Sequence, residues 1–285
     1  MRTLETKVWS AKDIYEAWEI KASVKDSSVF IMGGTFLQTK WENGVQYPDH
    51  LIHLGEIKEY KQIYSLQEHQ VKTIHIGAFV SLAECHKHPL IQNDCSLLAD
   101  SIGTIAAPAV RNLGTIGGNI ANRIGDSIPA LLVLDAEVLY FDGNEIKRDS
   151  LENWLKQKED SLLLEIIITE QKASVQSHQF ANKVGRREAF TASVVTIAGR
   201  FSIEENGVSL ILAAGGGETI PRRLRRTENL VNHQDIETIP LQQITGELIK
   251  EYNPIADAFF AEDYRRKVAA NLFMVEWEKW REKHG

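Results

Sequence analysis

Cysteine is scarce in this chain, with only Cys85 and Cys95 among 285 residues. Two thiols do not build a disulfide scaffold, and they fall short of the four ligands of an iron–sulfur cluster. Long apolar runs are missing as well. None approaches the roughly 20 residues of a membrane-crossing helix, and Met1-Arg2-Thr3-Leu4-Glu5 lacks the apolar core of a signal peptide. The expected compartment is therefore the cytoplasm. Positive charge is in deficit: 32 Lys and Arg against 39 Asp and Glu give a formal charge of -7, which disfavours nucleic acid as a partner. The chain has no G-x-S-x-G, no H-E-x-x-H and no Walker lysine loop, so hydrolase and P-loop chemistry lack support. The Rossmann spacing G-x-G-x-x-G is also absent.

What remains is ordinary globular composition, 43% hydrophobic and 25% charged. The chain is long enough for a large core and two domains. Its glycines are placed tellingly. Arg111-Asn112-Leu113-Gly114-Thr115-Ile116-Gly117-Gly118-Asn119-Ile120-Ala121-Asn122 combines glycines, a threonine and asparagines with almost no charge. Gly33-Gly34-Thr35 follows the apolar run Val29-Phe30-Ile31-Met32. Glycine is costly to order, so such a concentration implies an unusual bend or a close approach. Free N–H groups in such a loop form a nest for an anion, typically phosphate. Two glycine–threonine loops suggest two jaws around one phosphorylated cofactor. For either loop alone, a tight turn without a ligand is the competing explanation.

The elements around these loops follow from periodicity. Ile14, Trp18 and Ala22, at four-residue steps, mark an amphipathic helix over Ala11 to Lys25. Val29 to Met32 reads as a buried strand, Tyr47 to Leu54 as a turn and short strand, and Val71 to Ile76 as another strand. Ser81-x-x-Glu84 is a capping box that opens a helix stopped by Pro89. Ser96 to Ala106 is a further helix, Arg111 to Asn122 a loop, and Gly125-Asp126-Ser127 a turn. Pro129 suits the first turn of a weak helix reaching Leu134. Val138 to Phe141 is a strand that runs into a hairpin turn at Asp142-Gly143-Asn144, and Leu162 to Ile168 is a strongly apolar strand. The polar stretch Thr169 to His178 marks a boundary, dividing the chain into 1–172 and 173–285. Beyond it, the strands Val194 to Ile203 and Val208 to Ala214 join across Glu204-Glu205-Asn206-Gly207, an asparagine–glycine hairpin signal. Helices near Leu241–Tyr252 and Asp263–Lys279 follow. Hairpins without regular βαβ spacing favour α+β over a doubly wound sheet.

Several side chains carry two readings. Asp126 suits a hydrogen bond to a ribityl or ribose hydroxyl, and suits equally the N-cap of the helix after Ser127. Lys183, in Lys183-Val184-Gly185-Arg186-Arg187-Glu188, suits either the electron-rich edge of a flavin or a solvated strand face. Pro221-Arg222-Arg223-Leu224-Arg225-Arg226 offers an anion site, a subunit contact or a solvated turn. Cys85-His86-Lys87-His88 has poor spacing for a tetrahedral metal site, and the same holds for His50 and His53. No metal site and no catalytic acid–base pair is expected.

At these residues the chain resembles the FAD-binding medium subunit of the molybdenum hydroxylases, the family of xanthine dehydrogenase and carbon monoxide dehydrogenase. Ile31-Met32-Gly33-Gly34-Thr35-Phe36-Leu37 is similar to the family's first FAD loop, A-G-G-T-D-L. Arg111 to Asn122 resembles R-N-x-G-T-I-G-G-N-I-A-N almost letter for letter, and Gly125-Asp126-Ser127-Ile128-Pro129-Ala130-Leu131-Leu132 resembles G-D-S-x-P-A-L-L. Lys183 to Glu188, Gly215-Gly216 with Pro221 and Arg223, and Asp263-Tyr264-Arg265-Arg266 extend the likeness over nearly the whole chain. Two departures stand out. Phe36 replaces the aspartate of the first loop, and only Arg123-Ile124 separate Asn122 from Gly125, about two residues fewer than usual.

The resemblance implies an α+β FAD-binding fold of the vanillyl-alcohol-oxidase (PCMH) type in two subdomains, followed by a small C-terminal α+β domain. It implies FAD as cofactor, with its pyrophosphate between the two loops. The implied contacts are Ile31, Met32, Gly33, Gly34, Thr35, Phe36, Leu37, Thr115, Ile116, Gly117, Gly118, Asn119, Asp126 and Lys183. A side chain at Gly117 or Gly118 would then block backbone approach to the pyrophosphate. Implied partners are a large molybdopterin-binding subunit, a small [2Fe–2S] subunit and NAD+ or another electron acceptor, most nearly in the xanthine dehydrogenase manner. Neither nucleic acid nor membrane is implied.

Overall fold

A computed structural model describes residues 6–24, 27–170, 177–185, 193–205, 207–232, 234 and 240–284. The chain opens with β1 (Lys7–Ser10), α1 (Ile14–Val24), β2 (Ser28–Ile31), α2 (Thr35–Glu42) and β3 (His50–His53). The three strands form a parallel sheet in the order β1-β3-β2. On α1 the buried residues are Ile14 and Ala17, with Trp18 stacked on Phe30. Ala22, expected on the apolar face, is exposed. The inward stripe follows i, i+3, i+4 rather than strict four-residue steps, because a helix turns in 3.6 residues.

The second group comprises β4 (Ile63–Glu68), β5 (Val71–Gly77), α3 (Leu82–Lys87), α4 (Pro89–Asp94), α5 (Ser96–Gly103), α6 (Pro108–Leu113), α7 (Ile116–Ala121) and α8 (Ile128–Val133). It continues with β6 (Glu137–Phe141), β7 (Ile146–Ser150), α9 (Leu151–Lys156) and β8 (Leu162–Thr169). Its sheet is antiparallel in the order β4-β5-β8-β6-β7. Local signals fix several ends. Ser81 and Glu84 make both bonds of the capping box. Asp142 accepts from the N–H groups of Asn144 and Glu145, and Gly143 takes φ 98°, closing the β6–β7 hairpin. Seven residues of β8, Leu162 to Ile168, are buried, the mark of a central strand covered on both faces. The one charge in that run, Glu165, is met by His75 at 3.0 Å and by the Tyr64 hydroxyl at 2.9 Å.

The last group is β9 (Ser177–Val184), β10 (Val195–Glu204), β11 (Gly207–Gly216), β12 (Thr219–Arg223), α10 (Arg225–Val231), α11 (Leu241–Glu251) and α12 (Glu262–His284). The antiparallel order is β12-β11-β10-β9. The expected β10–β11 hairpin forms, with Glu204 paired to Gly207; Asn206 of its turn lies outside the described residues. So do Arg186, Arg187 and Glu188 of the basic run, and most of the polar stretch after Thr169.

Alternation along β10 gives the sheet two buried faces. Phe201 packs with Phe273, Trp277 and Trp280 of α12. Ala198 and its cross-strand neighbour Ala213 belong instead to the core of the first two groups. These small residues let α8 lie against β10 and β11. The basic segment after Pro221 runs from the end of β12 into α10; Arg222, Arg225 and Arg226 are exposed, and each of its four arginines has a partner. Arg223 is buried and bonded to Glu228 and Asp135. Arg225 meets Glu152, Arg226 meets Glu247, and Arg222 donates to the Glu251 carbonyl. Among the described residues no helix is long and apolar enough to cross a membrane.

Candidate cofactor site

The first glycine loop is the exit of β2. Gly34 adopts φ 67°, a left-handed turn that glycine makes without strain, and α2 starts at the next residue. The first N–H groups of a helix have no intrahelical acceptor. Among the described residues nothing accepts from the N–H groups of Gly33, Gly34, Thr35 or Phe36, and the first bond of the segment runs from Gln38 N–H to the Gly34 carbonyl. No residue of α2 is buried, so this row of donors lies near the surface.

The second segment is not a loop. It is two short helices, α6 and α7, broken at Gly114-Thr115. Thr115 is the N-cap of α7, its Oγ1 accepting from Gly118 N–H at 3.1 Å. Ile116 N–H donates to the Val80 carbonyl and Gly117 N–H to the Ala78 carbonyl. These amides are therefore spent inside the fold, which corrects the expectation of a second phosphate nest at 116–118. The N–H of Thr115 meets no acceptor among the described residues. Gly117 is required for packing: a Cβ there would lie 2.5 Å from Ala78 Cβ and 2.6 Å from its carbonyl oxygen. At Gly118 a Cβ would meet only Thr115 Oγ1, at 3.0 Å. Packing against Ala78 is by itself a sufficient reason for glycine at 117.

The two segments touch. A Cβ on Gly33 would fall 1.9 Å from the Leu113 carbonyl oxygen, and one on Gly114 would fall 3.1 Å from Thr35 Oγ1. The orphan amides of the first segment, the free N–H of Thr115 and the hydroxyls of Thr35 and Thr115 therefore share one corner. Ile31 closes the underside of Gly34, its Cδ1 lying 3.2 Å from the ideal Cβ position. Met32 is partly buried against the main core. Phe36, where the family has aspartate, stays partly exposed and carries the Lys40 ammonium 4.8 Å from its ring centre. Leu37 is also partly exposed.

The short exit from α7 is absorbed by one left-handed residue. Arg123 takes φ 63°. Its guanidinium donates to the carbonyls of Leu155, at 3.2 Å, and Gln157 and lies 5.1 Å from the Trp154 ring centre. Asn122 Oδ1 accepts from Ile124 N–H at 3.1 Å. Asn119 then holds the turn, its Oδ1 accepting from Ser127 N–H at 3.2 Å and Ser127 Oγ at 2.6 Å.

Asp126 does not cap α8; the N-cap is Ser127. Its carboxylate faces the C-terminal sheet. Oδ2 lies 2.6 Å from Lys183 Nζ, and Oδ1 accepts from Ser193 at 2.6 Å and Thr196 at 2.9 Å. Lys183 is accordingly paired and mostly buried rather than solvated. Sequence reasoning missed Ser193, Thr196 and Leu113. Thr196 was legible only through strand register, which sets it beside Lys183, and Ser193 lies just before β10; Leu113 acts through its carbonyl, which no side-chain pattern reports. Among the described residues no group of three or more His, Cys, Asp or Glu is placed to hold a metal ion.

The geometry is a corner of unpaired amides beside the partly exposed Phe36 and Leu37, with the Asp126–Lys183 ion pair joining the turn after α7 to β9. Residues 4–170 match the model of the FAD-binding domain in molybdopterin dehydrogenase. The chain belongs to this family of flavoprotein subunits. Residues 180–279 match the CO dehydrogenase flavoprotein C-terminal domain. The chain is 29% identical over 226 residues to the nicotinate dehydrogenase FAD-subunit of Eubacterium barkeri, covering 73% of each chain. It is 32% identical over 123 residues to the carbon monoxide dehydrogenase medium chain of Hydrogenophaga pseudoflava, covering 43% of this chain and 42% of that one. The solved carbon monoxide dehydrogenase of H. pseudoflava lacking the Mo-pyranopterin moiety superposes with a TM-score of 0.85 at 20% identity, covering 96% and 98% of the two chains. The expected fold, a PCMH-type FAD-binding domain with a C-terminal domain, is borne out, and FAD is the cofactor of the family.

Proposed function

We propose that this chain is the FAD-carrying electron-transfer subunit of a molybdopterin-dependent hydroxylase. It takes electrons from [2Fe–2S] clusters of a small partner subunit and passes them to NAD+ or another acceptor. The observation that carries this reading is the row of orphan amides at Gly33, Gly34, Thr35 and Phe36, abutting Thr115. A pyrophosphate needs such donors, since oriented backbone N–H groups hold anions without a basic cluster. When bound, FAD supplies exchange between one-electron and two-electron carriers.

The chain's own residues bind and orient. With FAD bound, the amides of Gly33 to Phe36 and Thr115 would hold its phosphate group, and Ile31, Met32 and Leu37 would form the apolar floor. Ile116, Gly117, Gly118 and Asn119 shape the α7 wall, and Asp126 with Lys183 holds the turn behind it. No acid–base pair is required of a relay, and none is assigned. The proposed division is 1–172 for the cofactor part and 173–285 for the C-terminal part. The two matched stretches and the separate aromatic core of the C-terminal sheet support it.

Cys85 and Cys95, both buried, fall short of the four thiolates of a [2Fe–2S] cluster, which supports clusters held on a companion chain. Such companions fit relatives known as a medium chain and an FAD-subunit. The motif resemblance favours the xanthine dehydrogenase type; the likeness to a nicotinate dehydrogenase subunit favours the nicotinate dehydrogenase type as the second reading. The test is purification of the complex from its source in the cytoplasmic fraction, with turnover measured on xanthine and on nicotinate in the presence of NAD+. NADH formation with xanthine supports the full proposal, and turnover of nicotinate alone transfers it to the second substrate. A chain that purifies without a large molybdenum-bearing and a small cysteine-rich companion contradicts it.

A further inference from the structure

We propose that Ser193 and Thr196 are positioning residues for the cofactor site, and that through Asp126 they make FAD binding and seating of the C-terminal sheet one coupled event. The inference rests on the FAD reading above and adds the device that links the two parts of the chain.

Asp126 sits in the turn before α8, yet among the described residues its carboxylate takes its side-chain partners from the other unit. Oδ1 accepts from Ser193 Oγ and Thr196 Oγ1, and Oδ2 pairs with Lys183 Nζ. The two hydroxyls are also 3.0 Å apart. Strand register explains why these groups converge. Thr196 is the cross-strand partner of Lys183, and Ala198 that of Ala181, so this face of β9 and β10 presents small and polar groups toward α8. Ser193 is 3% exposed and Thr196 4%. Burying a hydroxyl costs free energy unless it is bonded, and valine would fill the same place in a strand. The hydroxyls are accounted for by the carboxylate they hold.

On its other side Asp126 is tied to the cradle. Ser101 Oγ donates to the Asp126 carbonyl at 3.1 Å. The neighbouring Ser127 is bonded to Asn119, Asn119 lies on α7, and α7 is capped by Thr115. Gly114, one residue earlier, abuts Thr35. An unbroken run of bonds and contacts therefore joins the C-terminal sheet to the corner that takes the pyrophosphate. Coupling of this kind is reciprocal: what the seated sheet adds to cofactor binding, the cofactor adds to seating the sheet. Another bridge between the two parts, Arg225 to Glu152 at 2.7 Å, involves neither Asp126 nor the cradle and serves as a control.

The experiment uses the full chain, stripped of flavin and titrated with FAD by flavin fluorescence, with thermal unfolding followed with and without FAD. The Ser193→Ala/Thr196→Val double variant is expected to bind FAD about tenfold more weakly, within the usual range for coupled sites. Its FAD-induced rise in Tm should shrink, and the visible circular dichroism of its bound flavin should change. Ser193→Ala/Thr196→Ser, which keeps one hydroxyl, should recover most of the affinity. Glu152→Gln should bind FAD as the wild type does. If the double variant does not fold, Thr196→Val alone carries the same expectation at about threefold, by the same coupling logic. A folded double variant with wild-type affinity overturns the inference, as does Glu152→Gln weakening FAD binding equally. A wild-type chain that does not bind FAD overturns the functional reading itself, and the inference with it.

Discussion

Gly33 and Leu113 meet main chain to main chain, so closely that a Cβ on the first would stand 1.9 Å from the carbonyl oxygen of the second. Gly33→Ala must therefore push α2 away from α6, because a carbonyl on a helix has little room to give. The cradle opens while both cores stay intact. We expect FAD affinity to fall by tenfold or more, equivalent to about 1.4 kcal/mol, with near-wild-type far-ultraviolet circular dichroism. An alanine variant with unchanged affinity would show that the two segments do not act together.

Gly117 and Gly118 should part company. At 117 an added methyl collides with Ala78, and overpacking of this sort costs about 1–3 kcal/mol. At 118 it meets only the capping hydroxyl of Thr115. Gly117→Ala is thus a folding variant, visible as a lowered urea midpoint in the flavin-free protein. Gly118→Ala should keep the wild-type midpoint to within about 1 kcal/mol. Equal loss of stability in both would refute the packing explanation.

The forked pair between Arg223 and Glu228, at 2.5 and 2.9 Å, is almost fully buried, and Glu228 also accepts from Leu212 N–H. Glu228→Ala leaves a buried guanidinium with only the more exposed Asp135, and breaking such a pair costs about 3–5 kcal/mol. Urea denaturation would measure the loss. A change below about 1 kcal/mol would mean that the pair is solvated in solution.

Cys85 and Cys95 are buried, and burial pushes both thiols up to about 12 from an ordinary value of 9.0. Above pH 9 the unfolded chain gives up these protons and the folded one retains them, so stability should fall steadily from about pH 9 towards pH 12. At pH 8 neither thiol of the native protein should react with a disulfide reagent, and both should react in denaturant. Rapid labelling of the native protein would contradict this.

Strong periodicity and local chemistry made much of the fold readable in advance. The β8 run, the Ser81–Glu84 box and the Asp142–Gly143 hairpin each depend on neighbouring residues alone. Register and long-range contact did not show. Nothing near Asp126 in sequence reveals that Ser193 and Thr196, far along the chain, hold its carboxylate. Likewise, glycines read as a phosphate nest at 117 and 118 serve packing and a helix cap, because the amides of 116 and 117 are taken by carbonyls of the β5–α3 connection. The connection after Asn122 is about two residues shorter than in the family it resembles. A single left-handed Arg123, held against the end of α9, accommodates it.

The most direct test is the flavin content of the purified chain. After saturation with FAD and gel filtration, the folded wild-type protein should retain one FAD per chain, released on denaturation, and Gly33→Ala should retain much less. A folded wild-type chain that emerges without flavin would contradict the assignment of Gly33 to Phe36 and Thr115 as the pyrophosphate cradle.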